Sequence, residues 1–224
     1  MSEAIVHSTE GVTLAGGGRF SALLLAKARK LAPRVVAADG GADRLLALGS
    51  EPEAVIGDFD SISAAARARL AGRLYPIAEQ VTTDFDKALR SIAAPFVLGL
   101  GFAGQRLDHG LAVLNTLVRQ KDKRCLILSA TDVTFLAPRD LALTLPLRSR
   151  LSLFPMGPVR GESQGLRWPL QGLAFDPAGM IGTSNEVSGP VRLRFDADLM
   201  LVILPRSAVE AALDGLCPAD VRGG

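Results

Sequence analysis

Asp58 and Asp60 stand one residue apart in Gly57-Asp-Phe-Asp-Ser61, a spacing that lets two carboxylates aim at one point from a glycine-initiated loop. With Asp84 they would make an oxygen-only donor set. Hard oxygen donors suit Mg²⁺, which keeps positions open for water and substrate phosphates. Any one of these acids alone reads as a solvated turn residue; it is their joint occurrence that carries the metal reading. Asp84 also has a structural role open to it. Thr83 followed by Asp86 resembles a capping box, and acids suit the first turn of a helix.

Groups able to handle phosphate lie around these acids. Gly16-Gly17-Gly18 and Asp39-Gly40-Gly41 follow apolar runs. Glycines there either make tight turns or let backbone amides approach phosphate oxygens. Arg106 offers a guanidinium to phosphate or a surface pair to Asp108, and His109 either caps the following helix or touches a nucleotide. Trp168, the only tryptophan, belongs either in the core or beside a flat aromatic ligand. Ser184-Asn185 reads as a turn on its own. No Gly-Lys-Ser/Thr phosphate loop occurs.

These residues need a scaffold, and the apolar pattern supplies one. Residues 12–15, 34–38, 54–56, 74–78, 96–99 and 125–129 read as short strands. Between them fall helices: one with Leu23, Leu24, Ala28 and Leu31 at helical spacing, then 42–48, a stretch after Ser63, 84–92 and 109–118. Alternation of this kind predicts a parallel α/β sheet, and the polar candidates fall at strand ends, where such sheets bind ligands. From about Asp140 helical spacing gives way to short alternating segments, such as 151–154, 166–174 and 191–203. The expected fold class is α/β, with a parallel-sheet N-terminal domain over residues 1–140. A small C-terminal β-sandwich over 141–224, ending in a short helix and a tail, is expected to follow it.

A hydrophobic fraction of 48% with 21% charged residues excludes a disordered chain. The net charge of +2, without a long basic block, argues against nucleic-acid binding. Two cysteines make no disulfide framework. No signal-peptide pattern or membrane-spanning run is seen, so a soluble cytoplasmic protein with no membrane partner is expected.

Several segments together resemble the thiamin pyrophosphokinase family in order and spacing. They are Asp39-Gly-Gly-Ala42 with Leu45 and Gly49, Gly57-Asp-Phe-Asp-Ser61, and Thr83-Asp-Phe-Asp-Lys-Ala-Leu89. Gly101 to Gly104, Arg106-Leu-Asp-His109 with Asn115, and Ser184-Asn185-Glu186 complete the set. The resemblance implies a homodimer with sites at the subunit interface and Mg²⁺-dependent transfer of pyrophosphate from ATP to thiamin, giving thiamin diphosphate and AMP. By position it implies that Asp58, Asp60 and Asp84 hold Mg²⁺ and act with Arg106 in catalysis. It likewise implies that Asp39, Gly40, Gly41, Arg106, Asp108 and His109 meet the nucleotide, while Gln80, Trp168, Ser184 and Asn185 face thiamin. Asp84 is also the candidate acceptor for the thiamin hydroxyl proton. Three positions depart from the family pattern: Val81 stands where an acid is frequent, Asp43 where Asn is frequent, and Gly110 where a hydroxyl residue is common.

Two other kinds of reading compete, an enzyme of another family and a module without catalysis. Asp58-Phe-Asp60 resembles the nucleophile and acid pair of haloacid-dehalogenase-like phosphatases, but at least two strands precede it, and Ser61-Ile62 departs from that family's continuation. An Asp-x-Asp glycosyltransferase would leave residues 83–89 and 106–109 unexplained. A nucleotide- or thiamin-binding module without catalysis is the second reading, disfavoured by the three acids together.

Overall fold

The structure is a computed structural model that describes residues 4–104 and 106–218. The N-terminal half runs β1 (Val6–His7), β2 (Val12–Ala15), α1 (Ala22–Leu31), β3 (Arg34–Ala38), α2 (Gly41–Ala47), β4 (Ala54–Gly57), α3 (Ala64–Arg69) and β5 (Leu74–Pro76). It continues through α4 (Asp84–Arg90), β6 (Ile92–Ala93), β7 (Val97–Leu100), α5 (Leu107–Arg119) and β8 (Cys125–Leu128). Six of these strands pair in parallel in the order β8-β7-β2-β3-β4-β5. The chain winds outward from β2 to β5 and then returns to the other side of β2. The loops after β2 and β7 therefore diverge, which creates a crevice at the carboxyl ends of these strands.

Period-two alternation explains how both faces of the sheet are covered. Val12, Leu14, Val36, Ala38 and Ile56 face one way, and there they meet Phe85 and Leu89 of α4 and Val113 and Leu117 of α5. Ala15, Val35, Ala37 and Val55 face the other way, onto Leu24, Leu25 and Ala28 of α1, Ala42 and Leu45 of α2, and Ala66 of α3. Strands buried on both faces read as continuous apolar runs, and this made them visible in the sequence.

Helix starts follow local chemistry. Ser21, Ser63 and Thr83 each cap a helix by accepting a backbone N–H, from Leu24, Ala66 and Asp86 respectively. Leu24, Leu25 and Ala28 share the buried face of α1, whereas Leu23, expected on the apolar face, lies about half a turn round from Leu25 and is 80% exposed. The helix expected over 84–92 stops at Arg90, because Ile92 and Ala93 pair in parallel with Val6 and His7.

Beyond β8 the pairing continues without a gap. β9 (Asp132–Leu136) lies antiparallel to β8, followed in chain order by β10 (Asp140–Leu143), β11 (Arg150–Pro155), β12 (Val159–Leu166), β13 (Ala174–Phe175), β14 (Gly182–Phe195) and β15 (Met200–Pro205). β15 bridges β9 and β11. The start of β14 pairs β11, and its end pairs β10 and β12. A short 3-10 turn and α6 (Val209–Leu216) close the described chain. The result is a mixed α/β protein with a largely sheet body.

Two expected segments come out differently. Residues 167–173 form turns rather than a strand, since Pro169 interrupts the run and Leu173 N donates to Leu170 O at 3.0 Å. The segment 191–203 is split between β14 and β15, where Asp196 leaves the ladder to accept Arg160 N at 2.8 Å.

Candidate functional site

The loops at the switch point enclose a cavity of about 390 Å³. The loops after β2 and β7 form one wall. Gly18 approaches Gly101 so closely that a β-carbon on Gly18 would lie 2.4 Å from Gly101 O, and Gly18 N donates to that oxygen at 3.1 Å. The loops after β3, β4 and β5 bring Asp39, Asp58, Asp60 and Asp84 to the same cavity.

Asp39, Asp58 and Asp60 converge, with one carboxylate oxygen from each lying within 4.8 Å of the others. Strand pairing brings this about, because Ala38 and Ile56 are register partners and Asp39 and Asp58 follow at the ends of neighbouring strands. Asp39 and Phe59 both take positive φ, 40° and 65°, where non-glycine residues are uncommon. Asp39 is 3% exposed; its Oδ2 accepts Ser61 N at 3.0 Å, while its Oδ1 is buried with no hydrogen-bond donor to it among the described residues. Burial raises the Asp39 pKa to about 6, with the Ser61 amide opposing, and the charge of Asp84 and the neighbouring Asp60 carboxyl, by side-chain hydrogen bonding and by charge, adding to the rise. Three carboxylates this close, one of them buried, are a donor set that a bound cation would satisfy.

Asp58 is held in place. Its Oδ2 accepts Lys87 Nζ at 2.7 Å and Gln80 Nε2 at 3.1 Å, and its Oδ1 accepts Asp60 N at 3.3 Å. The hydrogen bond from Lys87 lowers the Asp58 pKa, against the effect of burial. Asp84 opens α4 beside this group but outside the converging three, with its Oδ1 3.2 Å from Lys87 Nζ.

Arg106 and His109 line the cavity, and Asp108 does not. Arg106 Nη2 donates to Asp108 Oδ2 at 2.5 Å in an exposed pair that holds the Asp108 pKa down to about 2. His109 sits inside the first turn of α5 and does not cap it, since Arg106 occupies the N-cap position. Trp168, Ser184 and Asn185 form a separate group, none of it lining the cavity. Asn185 Nδ2 donates to Trp168 O at 2.7 Å, and Trp168 N donates back to Asn185 Oδ1 at 3.2 Å. Ser184, at φ 60°, donates its N–H to Ser152 Oγ. The indole is 52% exposed, with the Arg167 guanidinium 4.9 Å from its centre, so it is a surface group and not a core one.

The family model described as thiamin pyrophosphokinase, catalytic domain, matches residues 25–128, and the one described as its vitamin B1 binding domain matches residues 143–200. The chain belongs to the thiamin pyrophosphokinase family. It is an enzyme of that family, and neither the phosphatase reading nor the non-catalytic reading gains support. Among its relatives is thiamine pyrophosphokinase 1 of Oryza sativa subsp. japonica, 28% identical over 225 residues covering 84% of each chain. A solved protein from Lactobacillus plantarum is 28% identical, with TM-score 0.74, covering 88% of this chain and 99% of its own. The fold is also shared with thiamin pyrophosphokinase from Candida albicans, TM-score 0.72 at 16% identity, covering 92% and 96%.

The catalytic-domain match contains every acid at the cavity, and the B1-binding match contains Trp168, Ser184 and Asn185. Against the thiamin pyrophosphokinase pattern, Val81 is 93% exposed and contributes nothing to the acidic group. Glu79 organises that turn instead, accepting Val81 N at 2.7 Å, Thr82 N at 3.0 Å and Arg90 Nη2 at 2.9 Å. Asp43 binds Ser63 through its backbone N–H at 2.9 Å and its hydroxyl, tying α2 to the start of α3. Sequence reasoning passed over two residues, Lys87 and Glu79. Lys87 stands in the segment 83–89 that carries the resemblance, one helical turn after Asp84, but no role was assigned to it.

Proposed function

We propose that the protein is an Mg²⁺-dependent thiamin pyrophosphokinase that transfers pyrophosphate from ATP to thiamin, giving thiamin diphosphate and AMP. The observation that carries the reading is the convergence of Asp39, Asp58 and Asp60 at the switch-point cavity, with Asp39 Oδ1 buried and served by no hydrogen-bond donor among the described residues. All donors there are carboxylate oxygens, which fits Mg²⁺ better than a softer metal. Asp58 and Asp60 would hold the ion, Asp39 would complete the group, and Asp84 would stand at its edge. A divalent cation bound there would neutralise phosphate oxygens as charge builds on them.

The chain's own residues do the rest. The glycine loops 16–18 and 40–41 leave room for the phosphate chain beside backbone amides. Arg106, exposed at the cavity mouth, would exchange Asp108 for phosphate, with His109 beside it. The thiamin hydroxyl attacks the β-phosphorus of ATP in line, the bond to the α-phosphate oxygen breaks, and AMP leaves. Asp84 is the candidate acceptor for the hydroxyl proton.

The division of labour follows the two halves, with residues 1–140 binding nucleotide and metal and residues 141–224 supplying thiamin contacts from Trp168, Ser184 and Asn185. Gln80, tied to Asp58, would connect the two ligands. Because the Trp168 group does not line this chain's cavity, a second copy is proposed to bring it there in a homodimer. Exposed Val81, Leu107 and Leu111 on one half and Met180 and Ile181 on the other offer apolar surface for that contact. The reaction is placed in the cytoplasm; no helix among the described residues is long and apolar enough to cross a membrane.

One assay tests the reading. Purified protein with ATP, Mg²⁺ and thiamin is expected to form AMP and thiamin diphosphate in equal amounts. Release of inorganic phosphate alone, or no reaction, would defeat it.

A further inference from the structure

Lys87 is the most deeply buried charged side chain at the site, 1% exposed. Burying an ammonium is costly unless partners satisfy it. Its partners here are acids of the site itself: Asp58 Oδ2 at 2.7 Å and Asp84 Oδ1 at 3.2 Å. Helix geometry puts it there, since Lys87 lies one turn after Asp84 on the same face of α4. The neighbouring acid Asp86 is served by Arg90 and Arg119, so the helix separates a structural ion-pair group from one that faces the cavity.

The consequence lies in which oxygens are taken. Lys87 and Gln80 both donate to Asp58 Oδ2, and Lys87 also engages Asp84 Oδ1. The protein thus has a cation of its own beside the acids before any ligand arrives. That charge repels a bare divalent cation but attracts a phosphate chain.

We propose that Lys87 is a positioning residue that serves as the site's counter-cation. It fixes Asp58 and Asp84 in place and weakens the hold on free Mg²⁺ until the ion arrives with the phosphate chain. This rests on the Mg²⁺-ATP reading of the site.

The test compares the full-length chain with Lys87→Met, which keeps the apolar stem and removes the charge. Mg²⁺ alone is titrated against the melting temperature, and AMP formation is then measured with Mg²⁺-ATP and thiamin. In the variant, the Mg²⁺ concentration giving half the thermal shift is expected to fall about ten-fold. At the same time kcat should fall by about ten-fold or more, with the KM for thiamin within about two-fold of the parent value. A side chain that only fills space would leave both the Mg²⁺ midpoint and kcat unchanged, and either that result or a weakened Mg²⁺ response overturns the proposal. Should Lys87→Met not fold, Lys87→Arg decides: a folded chain with the parent Mg²⁺ midpoint supports the role, and an unfolded chain or a tightened midpoint overturns it. Failure of the parent chain to form AMP would count against the proposed reaction, while the titration with Mg²⁺ alone would still decide the role of Lys87.

Discussion

Gly57 and Asp39 meet at the ends of neighbouring strands, so close that a β-carbon on Gly57 would stand 2.9 Å from Asp39 Cβ. The same atom would lie 3.2 Å from Asp84 Oδ1. Gly57→Ala is therefore expected to push two acids of the site apart. Overpacking of this kind costs about 1–3 kcal/mol, which urea unfolding would register. Activity should fall by more than the loss of folded protein explains, and a variant with full Mg²⁺-dependent turnover would show that the spacing is not critical.

Asp58→Asn and Asp60→Asn should each abolish transfer, because a neutral amide brings no charge to the cation. Their stability effects should differ. Asp60 is exposed, so its variant should stay within about 0.5 kcal/mol of the parent. Asp58→Asn weakens the partner of a buried ammonium and should cost more. Circular dichroism melts alongside the AMP assay check both halves of the claim.

Asp39 gives a pH dependence. Its folded pKa of about 6 lies above the ordinary carboxylate value of 3.8, and burial is the main cause. Its contribution favours the metal-free fold below the ordinary value and is lost as pH rises through about 6. Cation binding needs the ionised form, so Mg²⁺ affinity should drop as pH falls below about 6, by up to about ten-fold per unit. Melting curves with and without Mg²⁺ between pH 5 and pH 7.5 should converge at the acid end, where equal Mg²⁺ stabilisation across that range would exclude Asp39 from the cation site.

Trp168→Ala and Arg106→Ala should separate the two ligands. Half-exposed Trp168 can be lost with little change in melting temperature, whereas thiamin affinity should weaken by about 1 kcal/mol for a lost stacking partner. Arg106→Ala should instead weaken Mg²⁺-ATP, by about 1.5–3 kcal/mol before solvent screening. Calorimetric titration of each variant with each ligand gives the four affinities. A steep fall in stability with unchanged thiamin binding would make Trp168 structural.

Homodimerisation is open to sedimentation velocity at assay concentrations. A dimer is expected, since exposed Leu107 and Leu111 sit beside a cavity that Trp168 does not reach within one chain. A fully active monomer would mean that residues 141–224 of the same chain supply thiamin contacts.

Much of this protein was determined locally and was therefore legible in the sequence. Ser21, Ser63 and Thr83 announce helix starts because a side-chain oxygen can cap amides three residues on, and the doubly buried strands show as unbroken apolar runs. Asp58 and Asp60 could be paired on the page because one loop holds both. The tertiary structure alone brought Asp39 beside them and placed Lys87 between Asp58 and Asp84. It also decided that Trp168 lies on the surface, hydrogen-bonded through its backbone to Asn185. Periodicity tells which residues are strands but not which strand lies beside which. The meeting of Asp39 and Asp58 depends on the register of β3 against β4, and the burial of Lys87 on how α4 packs across both strands.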